Sequence, residues 1–170
     1  MTATPYSFCS FCGAGYPADA AWPRECTHCG QFVWRNPAPV AVAVVPVWTA
    51  DGVGVVVQRR DIEPARGKLA LPGGFIEYGE DWRAALIREL CEETGLSGPV
   101  DQVRLYDVRS APSGGTLLVF GLLPPRPAAE LPPVTATAEA SEWLVVTDPV
   151  ELAFATHTEV LTAVLRDPPG

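Results

Sequence analysis

Between Gly74 and Leu96 the chain reads GFIEYGEDWRAALIRELCEETGL, with Glu89, Glu92 and Glu93 on one short segment and Glu80 shortly before it. Asp81 is a good N-cap and Gly95 a good C-terminal stop, which predicts a helix from about Trp82 to Thr94. At about 100° per residue, Trp82, Leu86 and Leu90 define an apolar stripe. Glu89 and Glu93 project into the same sector, and Glu92 flanks it. Like charges one turn apart destabilise a helix and raise each other's pKa, and burial sharpens both effects. A divalent cation removes the conflict, because clustered carboxylate oxygens are what Mg²⁺ or Mn²⁺ prefers. Helix geometry alone equally allows a solvated acidic edge beside the stripe. The preceding LPGGF favours the metal: two glycines after a short apolar strand make a loop whose carbonyls and close backbone approach suit a ligand.

A second constellation lies in the first 29 residues, where Cys9 and Cys12 (CSFC) and Cys26 and Cys29 (CTHC) form two pairs, each followed by glycine. This is the spacing of two knuckles of a tetrahedral four-thiolate zinc site. Disulfides are disfavoured by the lack of an export signal in MTATPYSFC, and a redox pair by the lack of a thioredoxin-like βαβ pattern. Closed all-cysteine sites are structural, so the module reads as a metal-stapled fold element. Cys91, alone in the helix, reads as a small packed residue.

These groups need a frame. After WRNPAP, which reads as a linker, Val40–Trp48 and Gly52–Arg60 are rich in β-branched residues and flank the turn TADG, so they predict a hairpin with Pro46 at an edge or bulge. Further strands are expected at Val103–Arg109, Thr116–Leu123 and Ser141–Val146, giving a mixed or antiparallel sheet. Pro124–Pro133 reads as a loop, and THTEVLTAVL as a terminal helix opened by Thr156 and Glu159 in capping-box spacing.

Of 170 residues, 48% are hydrophobic and 19% charged, which fits one well-buried core with a small appendage. The formal charge of −8 repels nucleic acid, membranes and anionic small molecules, so an anionic ligand needs a metal or a local arginine cluster. Arg59 and Arg60, ending a strand, are candidates to meet phosphates, although a solvated strand end explains them as well; Phe75 is a candidate to stack on a base, and core packing explains it equally. The longest apolar run, Ala38–Trp48, is interrupted by proline and too short for the ~20 residues of a membrane span, so a cytoplasmic protein is expected.

The spacing Gly74, five residues, Glu80, seven residues, Arg88-Glu89-Leu90, one residue, Glu92-Glu93, one residue, Gly95-Leu96 resembles the complete Nudix box. The likeness extends to a Nudix subgroup with an N-terminal zinc ribbon, through Ile62–Glu80, the late EASE (Glu139–Glu142) and VELAFATHTEVL (Val150–Leu161). Leu69 stands where that subgroup's lead-in has tryptophan, which puts any role of that ring in doubt.

The resemblance implies a Nudix α/β/α sandwich with a mixed sheet at 37–170, preceded by a four-cysteine zinc ribbon at 1–36. It implies hydrolysis of a nucleoside diphosphate linked to another moiety, such as FAD or ADP-ribose. Glu89, Glu92 and Glu93 would hold Mg²⁺ or Mn²⁺ with the Gly73 carbonyl, Arg88 would orient them, Glu80 would pair with Arg88, and Glu139 or Glu142 would serve as a further ligand or base. NADH ranks lower as substrate, because NADH pyrophosphatases carry SQPWPFP after the box where this chain reads VRLYDVRSAPSGG. The same box is also compatible with a house-cleaning nucleoside triphosphatase or a non-catalytic nucleotide sensor, since fold does not imply function. The expected partner is a nucleoside-diphosphate-type small molecule, with no nucleic acid and no membrane; a homodimer is compatible with this expectation.

Overall fold

Two-residue strands supply the only regular pairing of the N-terminal unit among the described residues: β1 (Arg24–Glu25) runs antiparallel to β2 (Phe32–Val33). The computed structural model of the chain describes residues 5–168 and divides into Met1–Pro37 and Ala38–Gly170. In the first unit the buried apolar core is Cys9, Cys26 and Val33, with Ala14 and Tyr16 packed on it. So small a core holds a fold only with a staple such as a metal. The two knuckles repeat one turn: Gly13 N–H donates to Cys9 O at 2.9 Å and Gly30 N–H to Cys26 O at 2.8 Å. Both glycines take the left-handed conformation this turn demands, with φ of 75° and 72°.

The second unit comprises β3 (Ala38–Val44), β4 (Pro46–Thr49), β5 (Gly52–Arg60), β6 (Leu69–Ala70), β7 (Gly73–Phe75), α1 (Trp82–Thr94), β8 (Arg104–Ser110), β9 (Thr116–Leu122), β10 (Arg126–Pro127), β11 (Ala140–Val146) and α2 (Ala155–Arg166). One sheet runs β7-β3-β9-β8, the other β10-β4-β5-β11 with β6 also on β5. The β3/β9 and β10/β4 pairs are parallel and the rest antiparallel, so the sheets are mixed as expected.

The period-2 alternation of β3 and β5 builds both cores. Ala41, Ala43 and Val56 face Ala85, Leu86 and Leu90 of α1. Val42, Val44, Val55 and Val57 face Val160, Leu161 and Val164 of α2. The helices therefore cover opposite faces of the sheets, as an α/β/α sandwich.

Four local expectations need correction. Cys91 of α1 is exposed rather than packed. The Val40–Trp48 run is not one hairpin arm: it breaks at Val45, β3 pairing with β7 and β9 while β4 pairs with β5. Pro46 has no N–H to continue a ladder, and it opens the strand that changes sheet. Pro124–Pro133 is not wholly loop, since β10 adds parallel to β4. Thr156 does not cap the last helix: α2 starts at Ala155, and its N-cap Phe154 has no side-chain capping bond. Among the described residues no helix is long and apolar enough to cross a membrane.

Candidate active site and metal centre

Helix α1 begins where Asp81 accepts hydrogen bonds from Arg83 N–H (2.9 Å) and Ala84 N–H (3.4 Å), and ends at Gly95 with φ of 72°. Full burial of Leu86 and Leu90 fixes its rotation and turns Glu93 inward with them. Glu93 is 3% exposed. The Glu89 side chain is 13% exposed and that of Glu92 60%, so one of the three box carboxylates faces solvent.

Glu93 is met from two strands: its Oε2 accepts the Gly73 N–H of β7 at 2.7 Å, and the side-chain amide of Gln58 on β5 lies near enough to favour its ionised form. Burial nevertheless pushes its carboxyl up to about 7, reinforced by the charges of Glu89 and Glu139. Burial also raises Glu89, against the opposing effect of Arg88. The two glycines before the helix permit this approach. A Cβ at Gly74 would run into the Glu89 carboxylate, and one at Gly73 into the Ala41 carbonyl.

Arg88 organises the outer half. Nε and Nη2 donate to the two oxygens of Glu80, each at 2.9 Å, and Nη2 also donates to the Phe75 carbonyl at 3.0 Å. Nη1 donates to Glu89 Oε1 at 2.7 Å and Glu92 Oε2 at 3.3 Å. The bidentate pair with Arg88 holds Glu80 down to about 2, helped by the Glu77 N–H. One guanidinium thus serves three carboxylates, while Glu93 has no cationic partner among the described residues.

Other sequence candidates lie in different surroundings. Arg59 is engaged by Glu142 at 2.6 Å and by the Gly67 carbonyl at 3.0 Å. Arg60 donates to the Pro64 carbonyl at 2.9 Å and lies over the Phe154 ring. Phe75 is 63% exposed, so its ring is no core element. Of the EASE pair, Glu139 acts electrostatically on Glu89 and Glu93, whereas Glu142 is tied to Arg59.

Sequence reasoning missed Gln58, which is 1% exposed. The signal it left was a single amide interrupting the apolar run GVVVQ, two residues beyond Val56 and therefore on the face turned to α1. It also missed His157, on the buried face of α2, with Nδ1 accepting from Leu71 N–H at 3.3 Å and burial lowering its pKa to about 4.

The thiols of Cys9, Cys12, Cys26 and Cys29 lie within 4.8 Å of one another, the one such cluster of metal-ligating atoms among the described residues. Cys9 and Cys29 sulfurs are 3.8 Å apart, Cys12 and Cys26 3.6 Å. A tetrahedron with Zn–S bonds of ~2.3 Å places its sulfurs about 3.8 Å apart, so the cluster fits zinc. Burial opposes ionisation of Cys9, but hydrogen bonds from the Phe11 and Cys12 backbone together with the Tyr16 and Cys26 side chains outweigh it and bring the thiol to about 6. The box carboxylates do not converge in this way. Their chemistry still fits Mg²⁺ or Mn²⁺, with hard oxygen donors, uncompensated negative charge and a glycine strand alongside.

A carboxylate helix against a glycine strand, in a sandwich of mixed sheets between two helices, defines the class. The NUDIX domain family model matches residues 37–165, and the chain belongs to the Nudix family. A NUDIX hydrolase from Nitrosomonas europaea superposes with a TM-score of 0.73 at 25% identity, covering 95% of this chain and 92% of that one. An NAD-capped RNA hydrolase, NudC of Salmonella heidelberg, is 27% identical over 166 residues, 97% of this chain and 56% of that protein. An ADP-ribose pyrophosphatase of Methanocaldococcus jannaschii is 42% identical over 72 residues, 42% of this chain and 41% of that protein. The chain thus spans about half the length of these curated relatives.

Proposed function

We propose that the protein is a metal-dependent pyrophosphohydrolase that cleaves the diphosphate of a nucleoside diphosphate linked to another moiety, of the ADP-ribose, NAD or FAD type. The observation that carries this reading is the pair Glu89 and Glu93, carried inward by α1 against the Gly73-Gly74 strand without charge compensation at Glu93. Glu89, Glu92 and Glu93, with the Gly73 carbonyl, would hold Mg²⁺ or Mn²⁺. Such an ion offsets diphosphate charge and lowers the pKa of an attacking water.

The chain's own residues do the positioning. Gly73 N–H and Gln58 fix Glu93, and Arg88, anchored by Glu80, fixes Glu89 while leaving Glu92 at the solvent edge. The four cysteines would hold one structural Zn²⁺. ADP-ribose chemistry is supported by the archaeal relative's name, and NAD chemistry by relatives whose likeness runs through 97% of this chain. The second likeness raises NAD-type substrates above the rank the missing SQPWPFP gives them. It also sets an RNA-bearing substrate against the expectation of no nucleic-acid partner.

Incubation with ADP-ribose, NADH, FAD, a nucleoside triphosphate and an NAD-capped oligoribonucleotide, each with Mg²⁺, tests the reading. Two phosphorylated products from a diphosphate-linked substrate are expected. Undiminished turnover in excess EDTA, or binding without any product across the panel, would overturn it.

A further inference from the structure

Among the buried polar atoms without a hydrogen-bond partner are the Gln58 carbonyl oxygen Oε1 and the Trp143 indole Nε1. One is an acceptor and the other a donor, so each supplies what the other lacks. Gln58 and Trp143 are directly opposite each other in the antiparallel pairing of β5 with β11. Cross-strand partners point to the same face, their Cβ atoms about 5 Å apart. That face is the α1 side, because Trp143 packs in the same cluster as Val56, Leu86 and Leu90. Gln58 is 1% exposed and Trp143 5%. Unmatched polar atoms at such depth are rare, and each is costly unless a partner or an internal water meets it.

We infer that Gln58 and Trp143 form a buried relay, the indole N–H satisfying the Gln58 carbonyl through one internal water while the Gln58 amide holds Glu93, which makes Gln58 a positioning residue for that carboxylate. A buried site with a donor on one side and an acceptor on the other meets the needs of an internal water, which typically makes two to four hydrogen bonds. The Glu93 end of the relay fixes the Gln58 amide, since exchanging its oxygen and nitrogen would set a carbonyl against the carboxylate. Glu93 then receives two fixed donors, Gly73 N–H from β7 and the Gln58 amide from β5, and its remaining lone pairs point in one set direction. A ligand oriented in this way needs no reorganisation when an ion arrives.

The inference rests on the reading of Glu93 as a metal ligand for its consequence, but the relay itself is tested on metal-free protein. In ¹⁵N-labelled full-length chain, the Trp143 indole N–H resonance, assigned with Trp143→Phe, is expected to exchange slowly. In Gln58→Met, of similar volume and without either polar group, it should shift and exchange at least 10-fold faster. An unchanged resonance and exchange rate in Gln58→Met overturn the relay whatever the enzyme does.

Positioning is read separately by Mn²⁺ affinity, measured by electron paramagnetic resonance, and by the split between kcat and KM. Gln58→Met should weaken Mn²⁺ at least 5-fold and lower kcat at least 10-fold with KM within twofold. Trp143→Phe should move both the same way but less, and the double variant should match Gln58→Met alone. Additive effects of the two substitutions, or Mn²⁺ affinity within twofold of the parent in Gln58→Met, would overturn the positioning role. If the parent binds Mn²⁺ yet hydrolyses nothing, the proposed activity fails while the relay stands on its resonance.

Discussion

The cysteine module and the carboxylate helix solve opposite problems. Four thiols already lie within 4.8 Å of one another, with sulfur spacings of 3.6 and 3.8 Å that suit a closed tetrahedral ion. The box glutamates are instead spread over a gradient of exposure, with Glu93 buried, Glu89 half-turned and Glu92 at 60% side-chain exposure. A structural site closes around its ion because nothing else must enter. A site that acts on a substrate keeps some donors open, and here Arg88 Nη1 ties Glu89 to Glu92 while Glu93 lies outside that pairing.

Breaking the closed site should have the larger energetic effect. Structural zinc contributes on the order of 10 kcal/mol or more to folding of such modules, and the N-terminal core of Cys9, Cys26 and Val33 cannot replace it. One zinc per chain is expected by elemental analysis, and Cys26→Ser should abolish it together with the dispersed amide resonances of that unit. After chelation, Mg²⁺ alone should restore turnover but not those resonances. Turnover that returns only with zinc would erase the division between the two sites.

Glu93→Gln comes next. It keeps shape but removes a negative oxygen from the proposed ion, and should lower kcat roughly 10²-fold or more, about 3 kcal/mol in the transition state. Mg²⁺ affinity should fall while the metal-free thermal midpoint holds or rises, because a buried charge without a cation is gone. The pH dependence sharpens this. Glu93 has a folded pKa of about 7, above its ordinary 4.5. The folded state therefore holds a proton that the unfolded state has lost, and metal-free stability declines as pH rises from about 4.5 to 7. The full cost, on the order of 3 kcal/mol, applies above that window. His157, lowered to about 4, acts the opposite way, costing stability as pH falls below 6.5. It is common to both proteins, so the stability of Glu93→Gln minus that of the parent should grow from pH 5 to pH 8. A flat difference would show that Glu93 carries no burial penalty.

Glu80→Gln should act through Arg88 rather than through metal. The parent pair holds Glu80 at about 2, so its stabilisation is present above the ordinary carboxyl range and lost as pH falls from about 4.5 through 2. The variant is expected to lower the metal-free midpoint at pH 7, with Mg²⁺ affinity changed less than in Glu93→Gln. The reverse pattern would exchange the two roles.

Local chemistry was legible in the sequence where neighbours along the chain sufficed. Asp81 and Gly95 bound α1 because caps act within a few residues, and paired knuckle cysteines announce their own geometry. Features set by distant packing were not legible. The break at Val45 depends on which sheet each half of the run joins, and the loop before α2 is tied to the helix by Thr158, whose hydroxyl accepts from Leu152 N–H at 2.9 Å. Gln58 left only one amide in an apolar run, and its place opposite Trp143 follows from the pairing of β5 with β11, strands far apart in the chain. The division of labour between Glu139 and Glu142 likewise rests on Arg59, a strand away.

That division yields the smallest expected effect. Glu142 and Arg59 meet at 2.6 Å with side chains 46% and 39% exposed, so solvent screens the pair and its loss should change stability by less than about 1 kcal/mol. Glu142→Gln should accordingly leave kcat within twofold of the parent. Glu139 is different: its negative charge raises the pKa of both Glu89 and Glu93, which places it within electrostatic reach of the proposed metal. Removing that charge in Glu139→Gln should lower kcat several-fold, either by loss of a ligand or base or by a weaker field at the ion, and should slightly raise the metal-free midpoint by relieving like-charge repulsion. The two variants share the same chemical change and lie three residues apart, so each controls for the other. A larger kcat loss in Glu142→Gln than in Glu139→Gln would mean that Arg59 releases Glu142 when substrate binds, and that the late carboxylate of this site is Glu142.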